Sequence, residues 1–211
     1  MTQTFMPTGT VYGTLLNFKA EYAAMLQQMN QPPYKAPPQA PVLYVKPANT
    51  WSANGASIAV PARVAEVEIG ATIAMVIFNK QVRYVLMNDL SIPHSSFFRP
   101  PVKFKCLDGF LGIGSKTIET DQPQDFKLEV RVNSDLLQSL DFSQMVRPAS
   151  ELLADVSEFM TLRTGDVLML GCDCLGDGKR PVAKVGDVIT INSPSHPALG
   201  TLSNTLMAET A

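Results

Sequence analysis

IAMVIFNKQVRYVLM, residues 73–87, holds two apolar and β-branched runs, Ile73–Phe78 and Val82–Met87, with Asn79, Lys80 and Gln81 between them. Runs of this length and composition, bounded by polar residues, predict two strands. The chain passes directly from one to the other. Working outward, Val42–Val45 and Ile58–Val60 have the same character, with Pro, Gly, Asn and Lys at their bounds. Downstream, Phe126–Val132 alternates cleanly. Phe126, Leu128, Val130 and Val132 share one face, while Lys127, Glu129 and Arg131 share the other.

Toward the N-terminus, Thr10–Leu16 reads as a short strand. Lys19–Gln28 reads as a helix, with Tyr22, Met25, Leu26 and Met29 at helical spacing. Residues 31–41 carry five prolines. That density forbids a helix and predicts an extended crossing segment, because too little chain precedes it for a separate domain. Ser150–Met160 is the second expected helix, with an apolar stripe of Leu152, Leu153, Val156, Phe159 and Met160. Ser150 is its candidate cap, although the capping box is incomplete. Two Gly-Asp turns, Gly165-Asp166 and Gly186-Asp187, each lead into an apolar run. Strand after strand with only two or so helices predicts a mainly β domain of the α+β class, without parallel βαβ alternation.

The 211 residues suit one domain, with a core from about residue 9 to 204 and short tails, and 45% apolar content is ordinary for a globular chain. A net charge of −2 and the lack of a basic run argue against nucleic acid or an anionic membrane as partner. No apolar stretch reaches the length of a membrane span, and MTQTFMPTGTVYG lacks the layout of a secretory signal, so a cytoplasmic chain is expected. Cys172 and Cys174 stand as C-x-C with no second pair or nearby His. Together with Cys106 they read as reduced thiols.

Three stretches carry a resemblance that runs in order from about Gly9 to the end. They are PPYKAPPQAPVLYVKPANT (32–50), MNDLSIPHSSFFRPPVKFKCLDGFLGIG (87–114) and SELLADVSEFMTLRTGDVLMLG (150–171). They resemble the fumarylacetoacetate hydrolase family. That resemblance implies a mixed β-roll with a few short helices, acting on oxo acids and their enols. Within the family the likeness is to the N-terminal half of two-halved members of homoprotocatechuate catabolism. Those members decarboxylate a tricarboxylic ring-fission product and isomerise the resulting hydroxydienoate.

The family holds Mg²⁺ or Mn²⁺ on E-x-E in one strand and an Asp in the next. Such a cation stabilises an enolate as a Lewis acid. Here the apolar run at 73–77 aligns the E-x-E place with Gly70-Ala71-Thr72, so Gly70 and Thr72 stand where the Glu pair would be. Glu66 and Glu68 enter four residues early, with Glu68 one like-facing step of about 7 Å from the first ligand place. Asp89 matches the third ligand. It is either the residue of a poor divalent site or a structural hydrogen-bonding group.

Lys105 matches the family lysine that faces substrate, which makes it the catalytic candidate. Arg99 and Lys103 are candidate substrate-binding residues, Arg99 through bidentate carboxylate contact. Lys103 shares strand parity with Lys105, and the alternative for all three is a solvated basic strand. Leu170-Gly171-Cys172-Asp173 replaces the family's T-G-T-P, and Gly112-Ile113-Gly114 replaces its P-x-G. The family's early histidine is not found after Asn17. His94 and His196 lie elsewhere, and His94 reads as a surface residue. Three functions follow as expectations: a metal-poor subunit paired with a homologous metal-bearing chain or with a second copy of itself, a structural half, or a dicarboxylate-binding module. The implied substrate is a small oxo-di- or tricarboxylate.

Overall fold

The computed structural model describes residues 4–79, 81–94 and 100–209. Its centre is the pair expected above: β6 (Ala71–Phe78) and β7 (Gln81–Asp89), antiparallel, with Ile73 opposite Leu86 and Met75 opposite Tyr84. Ile73, Met75, Tyr84 and Leu86 pack into one apolar cluster. Ala74, Val76, Val85 and Met87 pack into another on the opposite face. Strands covered on both faces lose polar alternation, which is why these runs read as continuously apolar.

The other strands are β1 (Val11–Leu15), β2 (Val42–Lys46), β3 (Trp51–Ala53), β4 (Ser57–Val60), β5 (Val67–Glu68), β8 (Leu111–Ile118), β9 (Lys127–Val132), β10 (Asp135–Asp141), β11 (Val167–Met169), β12 (Val182–Ala183), β13 (Val188–Asn192) and β14 (Thr201–Ala208). Among the described residues they form three sheets. A seven-stranded sheet runs β2-β1-β11-β6-β7-β8-β3, a five-stranded sheet runs β10-β9-β13-β14-β4, and β12 pairs with β5. Most neighbours are antiparallel. The pairs β1/β11, β3/β8 and β4/β14 are parallel. The first apolar cluster lies between the two large sheets, where β9 contributes Leu128, Val130 and Val132 as its alternation requires. Among the described residues the fold is mainly β, a curled mixed sheet with three short helices, as the expected β-roll with a few short helices requires.

The helices are α1 (Lys19–Met29), α2 (Val102–Lys105) and α3 (Ala149–Ser157). α3 starts one residue before the expected Ser150, behind Pro148 and without a side-chain cap. It ends at Ser157, so Phe159 lies beyond it, 62% exposed, while Leu152 and Val156 are buried. In α1 the inward face is not quite the expected stripe. Leu26 is 42% exposed, whereas Glu21 and Met29, about two turns apart, are buried.

The basic strand expected at Lys103–Lys105 is instead α2. After Pro100-Pro101, the N–H groups of Phe104 and Lys105 both donate to the Pro101 carbonyl, which closes a helical turn. Two residues of helix turn through about 200°. Lys103 therefore points to solvent while Lys105 is buried.

β8, β10 and β14 give weak sequence signals. In β8, Gly112 leaves room for Asn204 of β14: a Cβ there would meet Asn204 Oδ1 at 2.3 Å. In β10 a bulge between Leu136 and Gln138 breaks the alternation. Among the described residues no helix is long and apolar enough to cross a membrane.

Gly13 in β1 sits opposite Tyr44 in β2, and the Tyr44 ring lies across it, so that a Cβ at Gly13 would meet ring carbons at 2.1–2.5 Å. Gly13→Ala is expected to displace that ring and destabilise the fold by about 1–3 kcal/mol, the usual cost of overpacking. A urea-unfolding midpoint shifted by less than measurement error would refute this packing.

Candidate functional site

The antiparallel register of β6 and β7 continues past both strand ends. Asp89 N–H donates to the Gly70 carbonyl at 2.8 Å, and Glu68 bridges to Ser91. Period-two alternation therefore puts Glu68, Gly70, Thr72 and Asp89 on the face that carries Met87 and Val85. Tyr44 belongs to the same cluster. Alternation along β2 then brings Lys46 to the same level.

Asp89 is fully buried and surrounded by cations. Lys105 Nζ lies 2.5 Å from its Oδ2, and Lys46 Nζ lies 3.0 Å from its Oδ1. Tyr44 donates its hydroxyl to Oδ2 at 2.5 Å, and Arg180 Nη1 stands 3.9 Å from Oδ2. Lys46 aims its protons at the carbonyls of Phe110 (2.7 Å), Leu90 (3.4 Å) and Lys105, so its contact with Asp89 is ionic. Burial alone would raise the Asp89 pKa. The ammonium groups of Lys105 and Lys46 and the Arg180 guanidinium outweigh it and hold Asp89 well below the ordinary carboxylate range. Burial lowers Lys46, partly offset by Asp89. Burial and the Asp89 charge push Tyr44 well up, so its proton stays on.

Beside this cluster lies a cavity of about 560 Å³. Its walls come from the end of β1, the inward face of α1, the proline-rich segment, Glu68, His94 and residues 174–180. On its wall Arg180 Nη2 donates to Glu21 Oε1 at 2.9 Å, and Glu21 Oε2 accepts the Leu16 N–H at 2.7 Å. Burial raises the Glu21 pKa, opposed by Arg180. Glu68 is raised by burial as well. Burial pushes the Cys172 thiol up to about 12, and burial with Asp173 pushes Cys174 up to about 11, so neither is a ready nucleophile.

The structure brings some expected residues together and separates others. Asp89 and Lys105 are in contact. Lys105 is spent on Asp89 and is absent from the cavity wall. Lys103 faces a separate shallow groove with Arg63 and Glu66. Arg99 lies outside the described residues. His94 is half-buried: it stacks on Phe104, with ring centroids 4.6 Å apart, and lines the cavity. His196 packs against Phe126, away from the site. Tyr44, Lys46, Glu21 and Arg180 were not singled out in the sequence. The alternation of β2 could have flagged Tyr44 and Lys46, whereas Arg180 has no local signal.

These residues do not fit a divalent cation. A Cβ at Gly70 would meet the Asp89 carbonyl oxygen at 2.3 Å, so the first ligand place is closed. The Thr72 hydroxyl donates to the Gly171 carbonyl at 2.5 Å. Both oxygens of Asp89 already face ammonium groups. Among the described residues no three His, Cys, Asp or Glu are grouped to hold a metal ion.

Residues 10–207 match the fumarylacetoacetate (FAA) hydrolase C-terminal family. The chain belongs to that family. It is similar to the 4-hydroxyphenylacetate degradation bifunctional isomerase/decarboxylase of Salmonella dublin, 32% identical over 95% of this chain and 48% of the relative. The protein of the same description from Escherichia coli is 33% identical over 90% of this chain and 46% of its own. The chain thus spans about half the length of the curated relatives it matches. Among solved structures it superposes on 2-hydroxyhepta-2,4-diene-1,7-dioate isomerase from Mycobacterium marinum with TM-score 0.75 and 22% identity, covering 99% of this chain and 78% of that one. On 5-carboxymethyl-2-hydroxymuconate delta-isomerase from Mycobacterium smegmatis the TM-score is 0.72, at 22% identity, over 99% and 82%. At such identities these two establish the fold.

Asp89→Asn leaves two ammonium groups buried without their counter-charge and is expected to cost about 3–5 kcal/mol. Because the folded pKa of Asp89 is depressed, its contribution is fully present above an unfolded value of about 3.9 and fades as pH falls toward the folded value. Urea midpoints from pH 7 down to pH 3 should therefore fall less steeply on the acid side in Asp89→Asn than in the parent. A parallel pair of curves would contradict the assignment. Titrating Mg²⁺ or Mn²⁺ into the isolated chain is expected to give no tight stoichiometric binding. A single tight site abolished by Asp89→Asn would overturn the poor fit.

Proposed function

We propose that this chain is the metal-poor half of a two-part isomerase/decarboxylase. The whole would decarboxylate 5-oxopent-3-ene-1,2,5-tricarboxylate and isomerise 2-hydroxyhepta-2,4-diene-1,7-dioate. The observation that carries the reading is Asp89: the family's cation place here is held by ammonium groups beside an intact cavity. A match to half of bifunctional relatives supports a division of labour between two homologous units. The partner would be a homologous chain with the E-x-E pair intact, which would hold Mg²⁺ or Mn²⁺. A second copy of this chain is the alternative partner.

In this reading Lys105, the catalytic candidate of the sequence, is tied to Asp89 behind the cavity wall and acts with Lys46 as a positioning residue, while Arg180 brings a fixed positive field to the wall. Such a field stabilises negative charge that develops on an enolate in a cavity sheltered from water. Arg99, three residues before α2 in the sequence, is a proposed contact for a substrate carboxylate, whereas Lys103 opens onto a separate groove. Retention of a cavity of about 560 Å³ favours handling of a ligand over a purely structural half.

Co-expression with a homologous chain that carries the intact Glu pair tests this. The co-purified pair is expected to turn over the oxo-tricarboxylate at least severalfold faster than that partner alone, with Mg²⁺ present. Equal rates, or no co-purification, would reject the subunit role.

A further inference from the structure

We propose that the cavity beside α1 binds a small uncharged molecule with an apolar body, held by a hydroxyl that donates to the Glu68 carboxylate. The proposal goes beyond the reading above, since it needs neither a partner chain nor a reaction. The backbone of Glu68 is pinned. Its N–H donates to the Ser91 carbonyl at 2.8 Å, its carbonyl accepts from Ser91, and Val182 of β12 pairs with it as well. The side chain is half-buried on the cavity wall and makes no hydrogen bond or ion pair among the described residues. Burial raises its pKa although Arg180 and Lys105 stand near, which marks a carboxylate short of partners. An ionised carboxylate accepts and cannot donate, so a donor is what it lacks. A ligand that displaces water from it without supplying a donor loses that hydrogen bond.

Charge argues that the group meeting Glu68 is neutral. Lys46 and Lys105 leave one positive charge over at Asp89, behind the wall, and Glu68 cancels it. Arg180 and Glu21 are spent on one another at 2.9 Å, and Nη1 of Arg180 is sealed beside Asp89. Asp177 and Lys179 balance at the exposed rim. A carboxylate brought to Glu68 meets a like charge with no uncommitted cation beside it. An ammonium group leaves a positive charge over and is desolvated among apolar side chains. Leu15, Met25, Met29, Pro38 and Val42 supply that apolar lining. The two thioethers favour an aromatic body, and a volume of about 560 Å³ admits a fused pair of rings. A molecule so held fills the space that the reading above gives to the substrate, so it acts as an inhibitor by occupancy.

Calorimetric titration of the full chain with 2-naphthol, in EDTA, tests this. Saturable one-to-one binding is expected. 2-Methoxynaphthalene keeps the rings without the donor, and 2-naphthoate puts a carboxylate in place of the hydroxyl. Both are expected to bind at least about tenfold more weakly, the cost of losing a hydrogen bond to a charged acceptor. Glu68→Ala is expected to weaken 2-naphthol by a similar factor and to leave 2-methoxynaphthalene unchanged. Glu68→Gln keeps an acceptor without the charge. Its affinity for 2-naphthol should fall between the two, while 2-naphthoate binds it more tightly than the parent. Circular dichroism melting of each variant reports whether it is folded. If Glu68→Ala does not fold, the contrast among the three ligands and Glu68→Gln decide. No 2-naphthol binding by the parent, equal binding of the methoxy compound, tighter binding of 2-naphthoate than of 2-naphthol, or a folded Glu68→Ala with parental affinity would each overturn the proposal. In the co-purified pair, 2-naphthol is expected to raise the KM for the oxo-tricarboxylate and leave kcat unchanged. A lowered kcat at constant KM would contradict occupancy of the cavity.

Discussion

A single buried carboxylate ties this fold together at its functional end. Asp89 stands at the tip of β7, and four separate segments converge on it: β2 through Tyr44 and Lys46, α2 through Lys105, the 174–180 loop through Arg180, and the backbone of Gly70 just before β6. Burying one charge is expensive. Burying it with two ammonium groups and a phenol is tolerable, because each desolvated ion recovers partners. The arrangement is unforgiving, since removal of any member strands the others. That makes the cluster a strong constraint on how β2, β7 and α2 meet.

The same cluster shapes the chemistry available to the chain. Gly70 lies hard against the Asp89 backbone, and Thr72 is tied to Gly171, so the oxygen ligands that a divalent ion demands are missing on this face. Positive charge is still present, fixed in side chains around Asp89, with Arg180 reaching the wall of the cavity. A fixed cation and a bound metal ion both favour developing negative charge. The fixed cation lacks the open coordination positions that let a substrate chelate. This difference fits the proposed reading, in which a homologous unit would supply the metal.

Much of the scaffold was legible along the chain. The twin apolar runs of β6 and β7, the alternation of β9 and the existence of α1 and α3 follow from local periodicity, although α3 stops at Ser157, short of the expected Met160. Local patterns report which face of a strand is buried, and they failed where tertiary context overrode them. β8 trades side chains for glycine so that β14 can approach, β10 is bulged, and two prolines turn the expected strand at Lys103–Lys105 into one turn of helix. Placing Gly70 and Thr72, rather than Glu66 and Glu68, on the level of Asp89 and Met87 depended only on counting residues along a strand. The pairing of β6 with β7 has that same register.

By itself, then, the sequence determined the strand-rich core, the family likeness and the absence of the acidic pair beside Asp89, because each is a property of short-range spacing. Only the tertiary structure decided what surrounds Asp89 and the cavity beside it. Lys46, Lys105 and Arg180 lie 43 residues before, 16 after and 91 after Asp89 in the chain. No local pattern links charges so far apart. Their meeting is set by how the sheet curls and by where the loops between strands can close, since an electrostatic partner is chosen by distance in space and by burial.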